Sequence, residues 1–280
     1  MRLGINIPRE HPDGRPYNAS DVMTRARAIE AAGFDGIWLG ESMNRGTPSV
    51  DTLAVLSVAA AATSRVQIGS AVLQVPLRRP AELAQRLLSL HALSGRRFAA
   101  GLGAGSTRAD FDACGIDYAN RFKLFAAALP EVRRLCNGEQ VGAANLHPWP
   151  SVAGGPPMLI GAWASGIWVK RAARDYDGWI ASGRHNNHFR TLAEGLKVYR
   201  DNGGKRVLIA TVGIDLQAPT KPLADDEPFN LRCGPDEAAV RLQQLAGLGV
   251  DDVLLVMRPQ QSAGELPAIR ALLKKEAPAL

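Results

Sequence analysis

The chain has 280 residues, 46% of them hydrophobic and 21% charged, which is the balance of an ordinary folded domain and excludes a disordered or fibrous one. Lysine and arginine outnumber aspartate and glutamate by 33 to 27, a formal charge of +6, but the basic residues fall in scattered pairs without interleaved aromatics, a pattern that argues against a nucleic-acid partner. Three cysteines without a CxxC pair, a longest apolar run (53–62) well short of the ~18 residues of a membrane span, and polar residues from Arg9 onward lead to the expectation of a cytoplasmic protein without disulfides or membrane attachment.

In chain order, apolar runs predict strands at 3–7, 36–40, 66–72, 97–103, 158–160, 178–181, 207–212 and 252–257. Most are continuous rather than alternating, as parallel strands covered on both faces are. Helices are predicted between them. The first opens at Ser20-Asp21 and closes at Ala32-Gly33, the second opens at Asp51, and the third runs from Pro80 to about Leu93. A stripe of Phe122, Phe125, Leu129, Val132 and Cys136 marks the fourth, with a kink or break expected at Pro130. Further helices fall near 165–175, 187–202, 235–247 and 265–276. Eight strands alternating with eight helices over one domain, residues 1–280, favour a closed (β/α)8 barrel. A doubly wound dinucleotide fold wants G-x-G-x-x-G after the first strand, where this chain has Pro8-Arg9-Glu10-His11. Two proline-rich insertions, 138–157 between strands four and five of the alternation and 216–235 after strand seven, suit loops covering the barrel mouth.

Barrel chemistry sits at the C-terminal ends of strands. Glu41 and Ser42 follow the second strand; Glu41 is placed to orient a ring or act as a base, or is a surface-loop carboxylate. Gly101 to Gly105 offers close approach to a flat ligand, or a tight turn. Gly161 to Gly166, small residues and a serine between strand and helix, is equally an ordinary turn or a set of amides free to point at a phosphate. His185 and His188 lack a neighbouring metal motif, and Cys114 and Cys233 lack a base.

The segments Ala32-Gly-Phe-Asp-Gly-Ile-Trp38, Thr63-Ser-Arg-Val-Gln-Ile-Gly69, Leu93-Ser-Gly-Arg-Arg-Phe98, Gly101-Leu-Gly-Ala-Gly105, Pro157-Met-Leu-Ile-Gly161, Tyr176-Asp-Gly-Trp-Ile180 and Gly247-Leu-Gly-Val-Asp-Asp-Val253 resemble the bacterial luciferase-like superfamily of flavin- and deazaflavin-dependent oxidoreductases. Phe111-Asp-Ala-Cys-Gly-Ile116 is similar to the matching stretch of methylenetetrahydromethanopterin reductases, which use coenzyme F420. The resemblance implies FMN or coenzyme F420 with its ring at the mouth, a cis peptide joining Ala71 and Val72 behind that ring, and Gly103, Gly105 and Ser106 passing close to it. The cofactor phosphate is then expected on Gly161, Ala162, Ala164 and Ser165, with Trp163 lining the pocket and Glu41 and Ser42 as polar groups beside the ring. FMN implies oxygen activation, and F420 implies hydride transfer without oxygen. The chain departs from many F420-using members in having Ser42 where they have histidine and Ser106 where they have an acid. A small-molecule substrate, a homodimer through the second and third helices and a flavin reductase supplying reduced cofactor complete the implied picture. From its place at the end of the last strand, Arg258 is equally a group for an anionic substrate or a surface arginine. The rival readings are a barrel without cofactor or catalysis and a metal-dependent hydrolase centred on His185.

Overall fold

The computed structural model describes residues 1–8, 11, 13–164, 166–181, 188–224, 227–258, 261 and 263–272. The elements follow one another as β1 (Arg2–Asn6), α1 (Ala19–Ala31), β2 (Gly36–Leu39), α2 (Thr52–Ala62), β3 (Gln67–Ser70), β4 (Leu73–Gln74) and α3 (Pro80–Leu93). Next come β5 (Phe98–Gly103), α4 (Arg108–Ala113), α5 (Arg121–Cys136), β6 (Met158–Ala162), α6 (Ile167–Asp175), β7 (Gly178–Ala181) and α7 (Phe189–Asp201). The chain continues through β8 (Val207–Asp215), β9 (Leu231–Arg232), α8 (Pro235–Gly247), β10 (Asp252–Val256) and α9 (Leu266–Ala271). Strands β10, β1, β2, β3, β5, β6, β7 and β8 pair in that order, all parallel, and β10 pairs back onto β8. The sheet is therefore closed, with helices outside: the (β/α)8 barrel that the alternation predicts.

Two short strands extend it at the top. The third predicted strand is interrupted after Ser70, the Ala71–Val72 peptide is cis, and β4 resumes pairing with β5 beyond it. Strand β9, from the second proline-rich insertion, pairs with the end of β8 and raises the wall there. Helix α1 is capped by Asn18, two residues before the expected Ser20, in a reciprocal capping box with Asp21. Pro130 does not break α5, because it lies on the exposed face of that helix. Phe122 is the one member of the predicted α5 stripe that faces solvent, at 46% exposed.

The lumen is filled by Trp38, which packs with Ala99, Leu159, Ile180, Leu208, Ala210 and Leu254. A Cβ on Gly69 would lie 2.2 Å from the indole, and on Gly4 and Gly36 at 2.8 Å and 2.6 Å. Strands β1, β2 and β3 thus lack side chains where one large ring takes their space. Such a ring is worth about 3–5 kcal/mol against alanine. Below it, Asp252 accepts from both Arg206 (2.8 and 3.0 Å) and Arg2 (2.9 Å), and Arg206 also donates to Gln67 (2.6 Å), which plugs the N-terminal end. Only the C-terminal end is left open for a ligand.

Candidate active site

Inward positions above Trp38 differ sharply around the ring of strands. On β3 and β5 they are small: Ala71, Gly101 and Gly103. A Cβ on Gly101 would meet the Ser70 carbonyl at 1.9 Å, and one on Gly103 would meet Val72 at 2.6 Å. Ser70 Oγ locks this seam by accepting from the Gly101 amide and donating to the Gly101 carbonyl, each at 2.9 Å. The result is a floor of backbone and methyl groups, shaped for a flat ring.

The opposite side carries polar groups. Asn6 follows Gly4 on the lumen face of β1, and its amide nitrogen donates to the Trp38 carbonyl at 3.1 Å. In β8 the register with β10 shifts around Leu254, and the extra residue, Thr211, sits at φ 63°. A β-branched residue in that left-handed region is strained, and bulges of this kind re-aim side chains at barrel rims. Thr211 is exposed directly above the lumen residue Ala210. Higher still, Arg258 is paired with Asp215 at 2.6 Å, and the Arg232 guanidinium lies over Gly213.

Glu41 is buried at 6% exposure, and both its oxygens have donors. Arg78 binds one, the Gln74 amide binds the other at 2.7 Å, and the Glu41 amide in turn donates to the Val72 carbonyl at 3.1 Å. Burial lowers the Arg78 pKa, but Glu41 more than offsets this and leaves it raised. Glu41 therefore braces the Ala71–Val72 turn, and its carboxylate is fully engaged as an acceptor. Ser42 lies half-buried next to it. Asp110, from α4, is fully buried and gathers the amides of Met43 and Asn44, the Arg45 guanidinium and the Gln74 side-chain amide. Burial pushes its carboxyl up, but Arg45, Asn44 and Gln74 prevail and hold it below the usual range. Gln74, Arg78, Asp110 and Thr211 do not stand out in sequence, since their partners lie on other loops. The usable signals were positional: a glutamine just past a strand end and an acid after a glycine-rich turn.

At the end of β6, Gly161 is half-buried and the Ala162 carbonyl accepts from Trp179 Nε1 at 3.0 Å; in the turn that follows, Ala164 is buried against Gly195. Trp163 is 53% exposed at the rim. Gly166 caps α6 without a side-chain hydrogen bond, and among the described residues the amides of Ile167 and Trp168 meet no acceptor. Ser165 and His185 lie outside the described residues. Gly105 packs against Gln74 and Phe111, while exposed Ser106 accepts the Tyr118 hydroxyl through its carbonyl. Among the described residues no cluster of histidine, cysteine, aspartate and glutamate suits a metal, and no helix is long and apolar enough to cross a membrane.

A closed parallel barrel with small residues at the C-terminal end of β5 and a network of buried polar groups beside them defines the class of protein. The model of the luciferase-like monooxygenase family matches residues 1–214, and the chain belongs to that family. It is 28% identical over 187 residues to the 4-hydroxyprotoasukamycin monooxygenase of Streptomyces nodosus subsp. asukaensis, covering 62% of this chain and 50% of that one. It is 29% identical over 208 residues to the F420-dependent hydroxymycolic acid dehydrogenase of Mycobacterium tuberculosis, covering 68% and 56%. The chain thus spans about half the length of these two curated relatives. Among solved structures, the oxygenating constituent of 3,6-diketocamphane monooxygenase from Pseudomonas putida, in complex with FMN, superposes with a TM-score of 0.75 over 99% of this chain and 98% of that one. At 16% identity that likeness is one of fold.

Proposed function

We propose that the chain is an oxidoreductase that binds FMN or coenzyme F420 at the barrel mouth and acts on a small organic substrate. One observation carries the reading: Gly101 and Gly103 have no room even for a Cβ, so beside Ala71 and Val72 the end of β5 presents only backbone and small apolar surface. A tricyclic ring fits such a surface, and a bulky polar substrate has nothing there to hold it. When bound, the cofactor supplies the redox chemistry; the protein supplies orientation, electrostatics and exclusion of water. A relative named as F420-dependent supports F420, and a structure of the same fold solved in complex with FMN supports FMN.

In this reading Ala71, Val72, Gly103, Gly105 and Ser106 surround the ring and its side chain. The amides at the start of α6, with Gly161, Ala162, Trp163 and Ala164, receive the phosphate at a helix N-terminus. Ser165 is assigned to the same turn. Glu41 holds the Val72 turn at the required height through Gln74 and Arg78, and Ser42 offers a hydroxyl toward the ring. Substrate enters from the side of Asn6 and Thr211, where the polar groups are. The protein works in the cytoplasm as a homodimer, and with FMN it receives reduced cofactor from a flavin reductase.

Titration of the purified protein with FMN and with F420, each followed by ligand fluorescence, tests the reading. Saturable one-to-one binding of at least one is expected, weakened at least tenfold by Gly103→Ala, whose Cβ displaces Val72. If neither ligand binds, or if Gly103→Ala leaves the affinity unchanged, the reading is lost.

A further inference from the structure

Beside the mouth, where β5 and β6 are neighbours, two guanidinium groups are stacked on one phenol ring. Arg108 Cζ lies 4.9 Å and Arg121 Cζ 4.0 Å from the centroid of Tyr118. The Tyr118 hydroxyl donates to the Ser106 carbonyl at 3.0 Å, which fixes the stack to the loop leaving β5, and Phe111 meets the same ring edge-on at 5.3 Å. Neither arginine forms an ion pair among the described residues. Of the nearest acids in sequence, Asp110 is held by Arg45 and Gln74 and Asp117 by the Ala119 amide and Asn120, while Asp112 is exposed on α4 and forms no ion pair with either arginine among the described residues. Arg121 donates from Nη1 to the Tyr118 carbonyl at 3.0 Å, and its buried Nε has no acceptor among the described residues.

The stack also adjoins the turn assigned above to the phosphate. One helical turn after Arg121, Phe125 meets Trp168, in the first turn of α6, with ring centroids 4.6 Å apart. Stacking on a ring uses the face of a guanidinium and leaves N–H groups at its edge for a carboxylate: those of exposed Arg108, and Nη2 of Arg121, whose Nη1 is taken by the Tyr118 carbonyl and whose Nε is buried. Charged donors beyond a phosphate site have no counterpart in FMN, whose side chain ends at the phosphate. Coenzyme F420 continues past its phosphate into a lactate and a chain of glutamates, each bearing a carboxylate.

We infer that the Arg108–Tyr118–Arg121 stack holds the glutamate tail of coenzyme F420, and that F420 rather than FMN is the cofactor of this chain. The inference rests on the reading of the mouth as a flavin-type site, with the phosphate at the start of α6. The tail leaves that turn toward α5, along the side of the barrel where the two arginines stand without counter-ions.

Deazaflavin fluorescence on the whole protein tests this with F420 carrying several glutamates, with the truncated form that ends at the phospholactate, and with FMN. The glutamylated form is expected to bind about three- to tenfold more tightly than the truncated one at low salt, because each exposed charge pair contributes modestly. That preference shrinks at high ionic strength. Arg108→Gln and Arg121→Gln each reduce it, while affinity for the truncated form stays level. Equal affinity for the two forms in the wild type, equal loss of both in the variants, or binding of FMN alone overturns the inference and leaves the flavin-type site standing. Absence of binding by all three ligands removes that site and this inference together.

Discussion

His91 lies in the last turn of α3, buried, and its Nδ1 has no hydrogen-bond partner among the described residues. Burial lowers its pKa from the ordinary value of 6.5, and the hydrogen bonding near Phe98 only partly opposes that. The unfolded chain therefore binds a proton at this residue at a higher pH than the fold does. Stability from the neutral ring is complete above about pH 6.5 and falls as acid protonates the unfolded form, levelling off below the folded pKa. Urea unfolding from about pH 7 to about pH 5 is expected to show a larger drop in the wild type than in His91→Gln, which removes the titration. Parallel pH curves for the two proteins would place the burden on other groups. At the same scale, burial pushes the Cys136 thiol up to about 12, so this cysteine is a packing residue of α5 and not a nucleophile.

At the scale of elements, the eight barrel strands were legible because most are continuous apolar runs, and the helices because most end in recognisable caps. Helix α4 was not: Arg108–Ala113 has one buried apolar side chain, Phe111, and no periodic stripe to reveal it. Its buried carboxylate, Asp110, connects the loops after β2 and β4, and only the assembled barrel brings those loops together. Of the site, the glycines of β5 and the cis peptide position were legible through family resemblance, whereas the bulge at Thr211 has no sequence signature. The Asp110 network makes a definite prediction. Asp110→Asn removes the charge facing Arg45, which is partly exposed and can turn to water, so the cost is about 1–3 kcal/mol rather than that of a sealed ion pair. The loop carrying Met43, Asn44 and Arg45 is expected to lose amide protection in hydrogen exchange before the barrel strands do. Because the folded Asp110 pKa is depressed, the wild-type advantage is full above about pH 4 and fades as pH falls through the folded value. Unchanged protection in that loop would mean that Asp110 does not organise it.

The whole molecule divides its two faces between different tasks. Three of the family-like segments each place an aspartate at the bottom, where it accepts an amide at the start of a neighbouring strand: Asp35 from Leu3 at 2.9 Å, Asp177 from Met158 at 2.8 Å and Asp251 from Val207 at 2.7 Å. Much of the sequence resemblance therefore reports how strand ends are satisfied on the face away from the mouth. Asp252 extends this pattern inward, binding Arg2 of β1 and Arg206 just before β8 from its own place on β10, across the seam where the barrel closes. Barrel enzymes keep stability and chemistry on opposite ends, so the two properties should separate by mutation. Asp252→Ala leaves Arg206 buried without its carboxylate and is expected to cost about 3 kcal/mol, read as a lower urea midpoint. Under conditions where the variant is fully folded, its affinity for FMN or F420 should stay within about twofold of the wild type, since a shift of 0.4 kcal/mol or less lies inside that range. A large loss of cofactor affinity alongside the loss of stability would show that the plug at the bottom also sets the height of Trp38 and of the floor above it. The Arg206 guanidinium, 6.0 Å from the Trp38 ring, is the contact through which such coupling would run.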